Sequence, residues 1–330
     1  MSDEPVVQIN DLTKQYGEFT ALNGLSLQLE RGRILGFIGP NGAGKTTTIK
    51  ILVGLLRPTS GSASIAGFDC TRDAKKIKQV VGYMPDYVGT YDNMRVHEYL
   101  DFFGAAFNIP RKVRGARLEE VMQITGSYYM RDMFVESLSH GMRKRVGIAR
   151  TLLHDPQVLI MDEPASGLDP KARIEIRQLL ADLAQRGKTL IVSSHILPEL
   201  SRICDVVAII ASGQLRAFGS LDQIMAQVRQ RRVMEVQLTS GAKDRLDKAV
   251  QLINEHISDV TEVAISKSEQ IVRFSTNCDD QMLVGLIGAI AVAEIGMVQF
   301  REVPMDLEDA FLKVTGAATS AAPSNEPDHE

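Results

Sequence analysis

Apolar positions in the first two thirds of the chain follow two different rhythms. Short, continuous apolar runs at residues 34–38, 158–161 and 189–193 are separated by amphipathic helical stretches. Such runs suit strands covered on both faces, and their alternation with helices predicts a parallel sheet flanked by helices over residues 6–220. Residues 6–10 and 25–29 instead alternate apolar with polar side chains, which predicts an antiparallel edge sheet. The stretch 96–130 reads as helical, and its aromatics Tyr99, Phe102, Phe103 and Phe107 are expected in the core.

Beyond residue 232 the pattern changes. It predicts strand 233–238, helix 245–257, strands 260–266 and 270–275, helix 279–293, strand 296–302 and a last helix at 307–315. Leu246, Ala249, Val250, Ile253 and Ile257 form one stripe of the first helix. The order predicts a small ferredoxin-like α+β domain at 233–316, following a polar linker at 223–232. Residues 317–330 are rich in Ala, Ser, Pro and acid, and are expected to be a disordered tail.

Composition narrows the field. The 330 residues are 44% hydrophobic and 24% charged, the balance of a globular protein, and two domains are expected at this length. A net charge of -4 gives no electrostatic reason to expect nucleic acid as a partner. Cys70, Cys204 and Cys278 have neither disulfide-like nor zinc-like spacing and read as reduced thiols. The acidic N-terminus lacks the apolar core of an export signal. The longest apolar run, residues 282–293, falls short of the roughly 20 residues a membrane span needs, so a soluble chain is expected.

Four short motifs suggest chemistry. Gly39, Pro40, Asn41, Gly42, Ala43, Gly44, Lys45 and Thr46 match a phosphate-binding loop between a strand and a helix. The glycines let backbone N–H groups wrap phosphate oxygens at a helix N-terminus, Lys45 neutralises the terminal phosphates, and Thr46 offers a hydroxyl to magnesium. The run 158–161 ends in Asp162 and Glu163, placed to hold magnesium through water and to polarise an attacking water. Ser193, Ser194 and His195 close another apolar run, and His195 is a candidate γ-phosphate contact. Ser139 and Gly141 precede a helix, where a cap, free amides and a side-chain-free position suit an anion.

Taken in order, these motifs resemble the ATP-binding cassette family. The match comprises the phosphate loop, Leu138-Ser139-x-Gly141, then Asp162-Glu163-Pro164, Ser166-Gly167-Leu168-Asp169 and Ser194-His195. It covers residues 5–222 and implies a P-loop NTPase cassette: a parallel core sheet, an antiparallel edge sheet and a helical subdomain near 87–155. The resemblance implies ATP and Mg2+ as cofactors and a head-to-tail dimer, with ATP between one phosphate loop and the partner's Ser139 and Gly141. It places Tyr16 against adenine, adds Thr47 to the nucleotide contacts, and gives Asp169 a part in communication across the dimer. It further implies a separate integral-membrane permease and a location on the cytoplasmic face of the membrane.

Within the family, residues 82–87 through 91–94 and 304–312 resemble ATPase subunits of prokaryotic drug and polymer exporters. Two departures stand out. His140 and Met142 replace the usual glycine and glutamine of the signature, and Asp86 stands where a magnesium-sensing glutamine is usual, making it a candidate metal ligand. An alternative is a cassette ATPase acting on ribosomes or DNA, but such proteins usually carry two cassettes or a long coiled-coil insert. The interval from Lys45 to Ser139 leaves no room for that insert. A small-molecule kinase would leave Glu163 and the signature without a role.

Overall fold

The computed structural model describes residues 5–303 apart from 88, 90–92, 197–199, 201, 229–231 and 240–243. The expected helix at 307–315, the tail, the linker's residues 229–231 and the exporter-like residues 91–92 and 304–312 lie outside the described residues. The chain divides into two compact units, one reaching Leu221 and the other beginning at Asp222.

The first unit contains two sheets. Strands β1 (Val7–Tyr16), β2 (Phe19–Leu29), β4 (Ser60–Ile65) and β5 (Phe68–Asp69) form an antiparallel sheet in the order β2-β1-β4-β5. It extends well beyond the two expected strands, to a tight turn that pairs Tyr16 with Phe19. The second sheet contains β3 (Ile34–Ile38), β6 (Val81–Met84), β7 (Val158–Met161), β8 (Thr189–Ser194), β9 (Val206–Ala211) and β10 (Gln214–Gly219). Its order is β10-β9-β3-β8-β7-β6, and all neighbours are parallel except β10 against β9. Strands β3, β7 and β8 are buried along their whole length, as continuous apolar runs require of central parallel strands. One core joins the two sheets, with Ile9, Leu12 and Leu25 packed in the same cluster as Phe37, Ile49 and Ile160.

Helices α1 (Lys45–Leu52) and α2 (Ala74–Val80) flank the sheets. Helices α3 (Val96–Ala106), α4 (Arg111–Ile124) and α5 (His140–Leu152) make the helical region, and α6 (Pro170–Gln185) precedes β8. Local signals set several of these starts. The Ser139 side chain caps α5 by accepting from Met142 N, and Asp169 caps α6 by accepting from Ala172 N ahead of Pro170. The aromatic expectation for 96–130 holds only in part: Tyr99 is buried, whereas Phe102 and Phe107 are exposed.

The second unit opens with α7 (Leu221–Val228), a helix where a polar linker is expected from the sequence. It buries Ile224 and Met225, an apolar pair that the polar residues around it obscure. Then follow β11 (Arg232–Leu238), α8 (Asp244–His256), β12 (Thr261–Ser266), β13 (Ile271–Thr276), α9 (Asp280–Val292) and β14 (Met297–Val303). The sheet runs β12-β13-β11-β14, antiparallel throughout, which is the split β-α-β arrangement of ferredoxin-like domains. Met234, Val236 and Leu238 pack in one cluster with Leu246, Ile253, Leu286 and Ile290 of the two helices. Glu235 alternates to the other sheet face, where Arg273 and Arg301 both donate to its carboxylate, at 2.7 and 2.8 Å through their Nε atoms.

Candidate functional site

Strands β3, β8, β7 and β6 are consecutive neighbours, and the candidate residues sit at their carboxyl ends. The phosphate loop follows β3, His195 follows β8, Asp162 and Glu163 follow β7, and Asp86 follows β6. Ligands of open parallel sheets bind at this edge. A cleft of about 310 Å³ opens there, lined by Tyr16, Asn41, Gly42, Ala43, Gly44, Lys45, Thr46, Thr47, Asp86, Asp162 and Glu163.

The loop's shape explains its glycines. A Cβ on Gly39 would collide with the carbonyl oxygen of Ile210, and Gly44 takes φ 107°, where a Cβ would also strike Leu22 and Ala21. Lys45 is 6% exposed, and its ammonium donates to the carbonyls of Gly39 at 2.6 Å and Pro40 at 3.2 Å. It also lies 3.8 Å from Glu163 Oε1. Burial depresses the Lys45 pKa, against the pull of Glu163 and then Asp162.

Asp162 is the hub of the opposite wall. Its Oδ2 accepts from Thr46 Oγ1 at 3.1 Å and its Oδ1 accepts from Ser193 Oγ at 2.6 Å. The same Ser193 oxygen accepts from the Glu163 N–H at 3.0 Å. Glu163 adopts φ 49°, a left-handed conformation uncommon outside glycine. His195 Nδ1 donates to Glu163 Oε2 at 3.0 Å. Burial raises the Glu163 pKa above the usual carboxylate value, opposed by the His195 hydrogen bond and the Lys45 charge.

Asp86 joins the cleft, but its carboxylate is partly committed. Lys144 Nζ donates to Asp86 Oδ1 at 3.2 Å, to the Asp86 carbonyl at 2.8 Å and to the Glu163 carbonyl at 3.0 Å. Ser139 and Gly141 are not among the residues lining the cleft of their own chain. Ser139 is exposed at the start of α5, and a Cβ on Gly141 would meet only ordinary contacts with Ala172 and Leu168. The imidazole of His140 lies over Gly167, where a Cβ would come within 3.0 Å of it. Asp169, beyond this turn, serves locally as the cap of α6.

Three residues have a place in the site that the sequence reading does not assign to them. Phe19, 63% exposed, lines the cleft beside Tyr16; the short Gly17–Glu18 turn is the signal that would bring these aromatics together. Ser193 is hidden by its membership of an apolar strand. Lys144 lies on the buried stripe of α5 with Ile148, Thr151 and Leu152, and a lysine on such a stripe requires partners.

The sequence model of the ABC transporter family matches residues 22–166. A second model, described as "AAA domain, putative AbiEii toxin, Type IV TA system", matches residues 131–202. The chain is 35% identical over 316 residues to the bacitracin transport ATP-binding protein BcrA of Bacillus licheniformis, covering 95% of this chain and 98% of that protein. It is 31% identical over 313 residues to the Nod factor export ATP-binding protein I of Ralstonia nicotianae, covering 94% of each. Among solved structures, CbiO1 of Clostridium perfringens, described as part of the ABC transporter complex cbiONQ, superposes with a TM-score of 0.63 at 28% identity, covering 68% of this chain and 92% of that one.

Proposed function

The chain belongs to the ABC transporter family as an ATP-binding, ATP-hydrolysing subunit that works with a membrane component, and from that premise we propose that it drives export through a separate permease as a head-to-tail dimer. The observation that carries the reading is the meeting of Lys45 and Thr46 with Asp162 and Glu163 across one cleft, with His195 on Glu163. The amides of Gly42 to Thr47 and the start of α1 receive the phosphates, and Lys45 neutralises them. Tyr16 and Phe19 offer two faces for adenine.

The donor set fits magnesium. Thr46 Oγ1 and Asp162 Oδ2 are two hard oxygens 3.1 Å apart. The ion needs few protein ligands, because it keeps waters and phosphate oxygens. When bound it neutralises charge developing on the phosphates. Glu163 then polarises the attacking water, and His195 orients Glu163 and contacts the γ-phosphate. Asp86 lines the same wall, but its Oδ1 is held by Lys144 and it is not needed to complete this set.

Two features support the partners. Ser139 and Gly141 do not line their own chain's cleft, and a Cβ on Gly141 would meet only ordinary contacts among the described residues, so a second copy's nucleotide suits them. An apolar groove of about 360 Å³ lies where Val53, Leu55 and Ile77 face Phe103 and Phe107, and would receive an apolar segment of the permease. In this reading the permease spans the membrane and this subunit sits against it on the cytoplasmic face; no described helix here is long and apolar enough to cross a membrane. Export is the direction named for the Nod factor relative. The role read for the second unit is regulating or strengthening the dimer.

Glu163→Gln tests the reading. The amide keeps the shape but polarises water poorly, so ATP binding persists, hydrolysis stalls, and an ATP-dependent dimer appears on size-exclusion chromatography. Wild-type turnover in this variant would overturn the role of Glu163.

A further inference from the structure

Lys144 is 2% exposed on α5, one of the largest fully buried side chains of the protein. An ammonium has three N–H donors and no acceptor, and every donor must be met when it is buried. Here the three acceptors are the Asp86 carbonyl, Asp86 Oδ1 and the Glu163 carbonyl, at 2.8, 3.2 and 3.0 Å. The Asp86 side chain itself is 61% exposed, so its carboxylate is hydrated on one side while supplying the counter-charge on the other.

The Glu163 backbone is therefore held on both sides of its Cα. Ser193 Oγ takes its N–H and Lys144 takes its carbonyl, while the residue sits at φ 49°. Such a conformation persists only where its surroundings over-determine it. Lys144 reaches Glu163 from a different segment, α5, whose position also depends on the contacts of the helical region.

We propose that Lys144 is a positioning residue for ATP hydrolysis, fixing the Glu163 backbone with Asp86 as the counter-charge that holds the ammonium in place. This assigns Asp86 to Lys144 rather than to magnesium. It explains why an acid at position 86 is matched by a lysine 58 residues later. With a neutral amide at 86, the same ammonium would be buried without compensating charge. The inference rests on Glu163 being the residue that polarises water.

The test is steady-state hydrolysis of magnesium-ATP by the full chain carrying Lys144→Met, Asp86→Asn or both. Lys144→Met is expected to lower kcat about tenfold or more with the KM for ATP within about twofold of wild type, because the group acts on the base rather than on binding. Asp86→Asn lowers kcat by a smaller factor and leaves the magnesium concentration for half-maximal rate unchanged. The double variant is no slower than Lys144→Met alone, because Asp86 acts only through Lys144. Wild-type kcat in both single variants, or a double-variant loss equal to the product of the two, would overturn the proposal. So would a shifted magnesium requirement in Asp86→Asn at unchanged kcat. Should Lys144→Met lack a cooperative thermal transition, Asp86→Asn decides alone: a kcat loss at unchanged KM supports the proposal and an unchanged kcat overturns it. Glu163→Gln separates the two layers. If that variant turns over normally the functional reading fails, whereas an inactive Glu163→Gln beside normal Lys144 and Asp86 variants sinks only the positioning role.

Discussion

His195 and Glu163, residues that follow neighbouring strands, share a hydrogen bond of 3.0 Å from Nδ1 to Oε2. The bond fixes the direction of a carboxylate that would otherwise swing about its side-chain torsions. The far ring nitrogen of His195 can donate to a phosphate when it carries a proton.

Replacing His195 with alanine removes both effects. Turnover is expected to fall on the order of 10²-fold, the scale of a positioned acid–base partner, with a much smaller change in the KM for ATP. Steady-state kinetics of the purified chain check this, and a loss confined to KM would contradict it.

The acid side of the pH–rate profile follows from burial. Glu163 polarises water only when ionised, and desolvation raises its pKa despite the His195 bond. As pH falls, kcat is therefore expected to decline earlier than an ordinary carboxylate would dictate, and to be at its full value well above that raised pKa. Measuring kcat across pH at saturating ATP tests the sign; a limb at or below the usual carboxylate value would count against Glu163.

Ser193→Ala removes a donor from Asp162 Oδ1 and an acceptor from the Glu163 N–H. The stranded N–H alone costs about 1–3 kcal/mol. Turnover is expected to fall and half-maximal activity to require more magnesium, because Asp162 loses the partner that aims it. Magnesium titrations of ATPase activity report both effects together.

In the second unit Glu235 is 1% exposed, and two guanidiniums hold it. Burial pushes its pKa up, but the hydrogen bonds from Arg273 and Arg301 outweigh burial and leave it below the usual value. A depressed folded pKa means the contribution to stability is complete above the unfolded value and is lost as pH falls through the folded one. Glu235→Gln is expected to lower stability by about 1–3 kcal/mol at neutral pH, with the deficit shrinking in acid. Denaturant unfolding of wild type and variant at two pH values checks the direction.

The parts of the site that the sequence reveals are those written in consecutive residues. The run at 34–38 and the small, polar loop after it specify β3, the turn and α1 locally, as residues 158–163 specify β7 and its two carboxylates. Lys144 and Asp86 lie far apart in the chain, and only the adjacency of β6, β7 and α5 brings them together. The α3 aromatics mislead because helical spacing fixes a common face without saying whether that face is covered; Phe103 and Phe107 border a groove instead. At 221–228 a short helix that buries Ile224 and Met225 hides in a stretch read as a polar linker.

Ser139 and Lys144 stand five residues apart on α5, a spacing of about 7.5 Å along a helix axis. In the dimer proposed above, one end of that short rod would touch the partner's nucleotide while its next turn grips the chain's own Glu163. A nucleotide bound in one site would then bias the base of the other without any conformational wave through the sheets. Linkage makes such a bias reciprocal. The two hydrolysis events would be a cooperative pair, joined by a lever little more than one helical turn long.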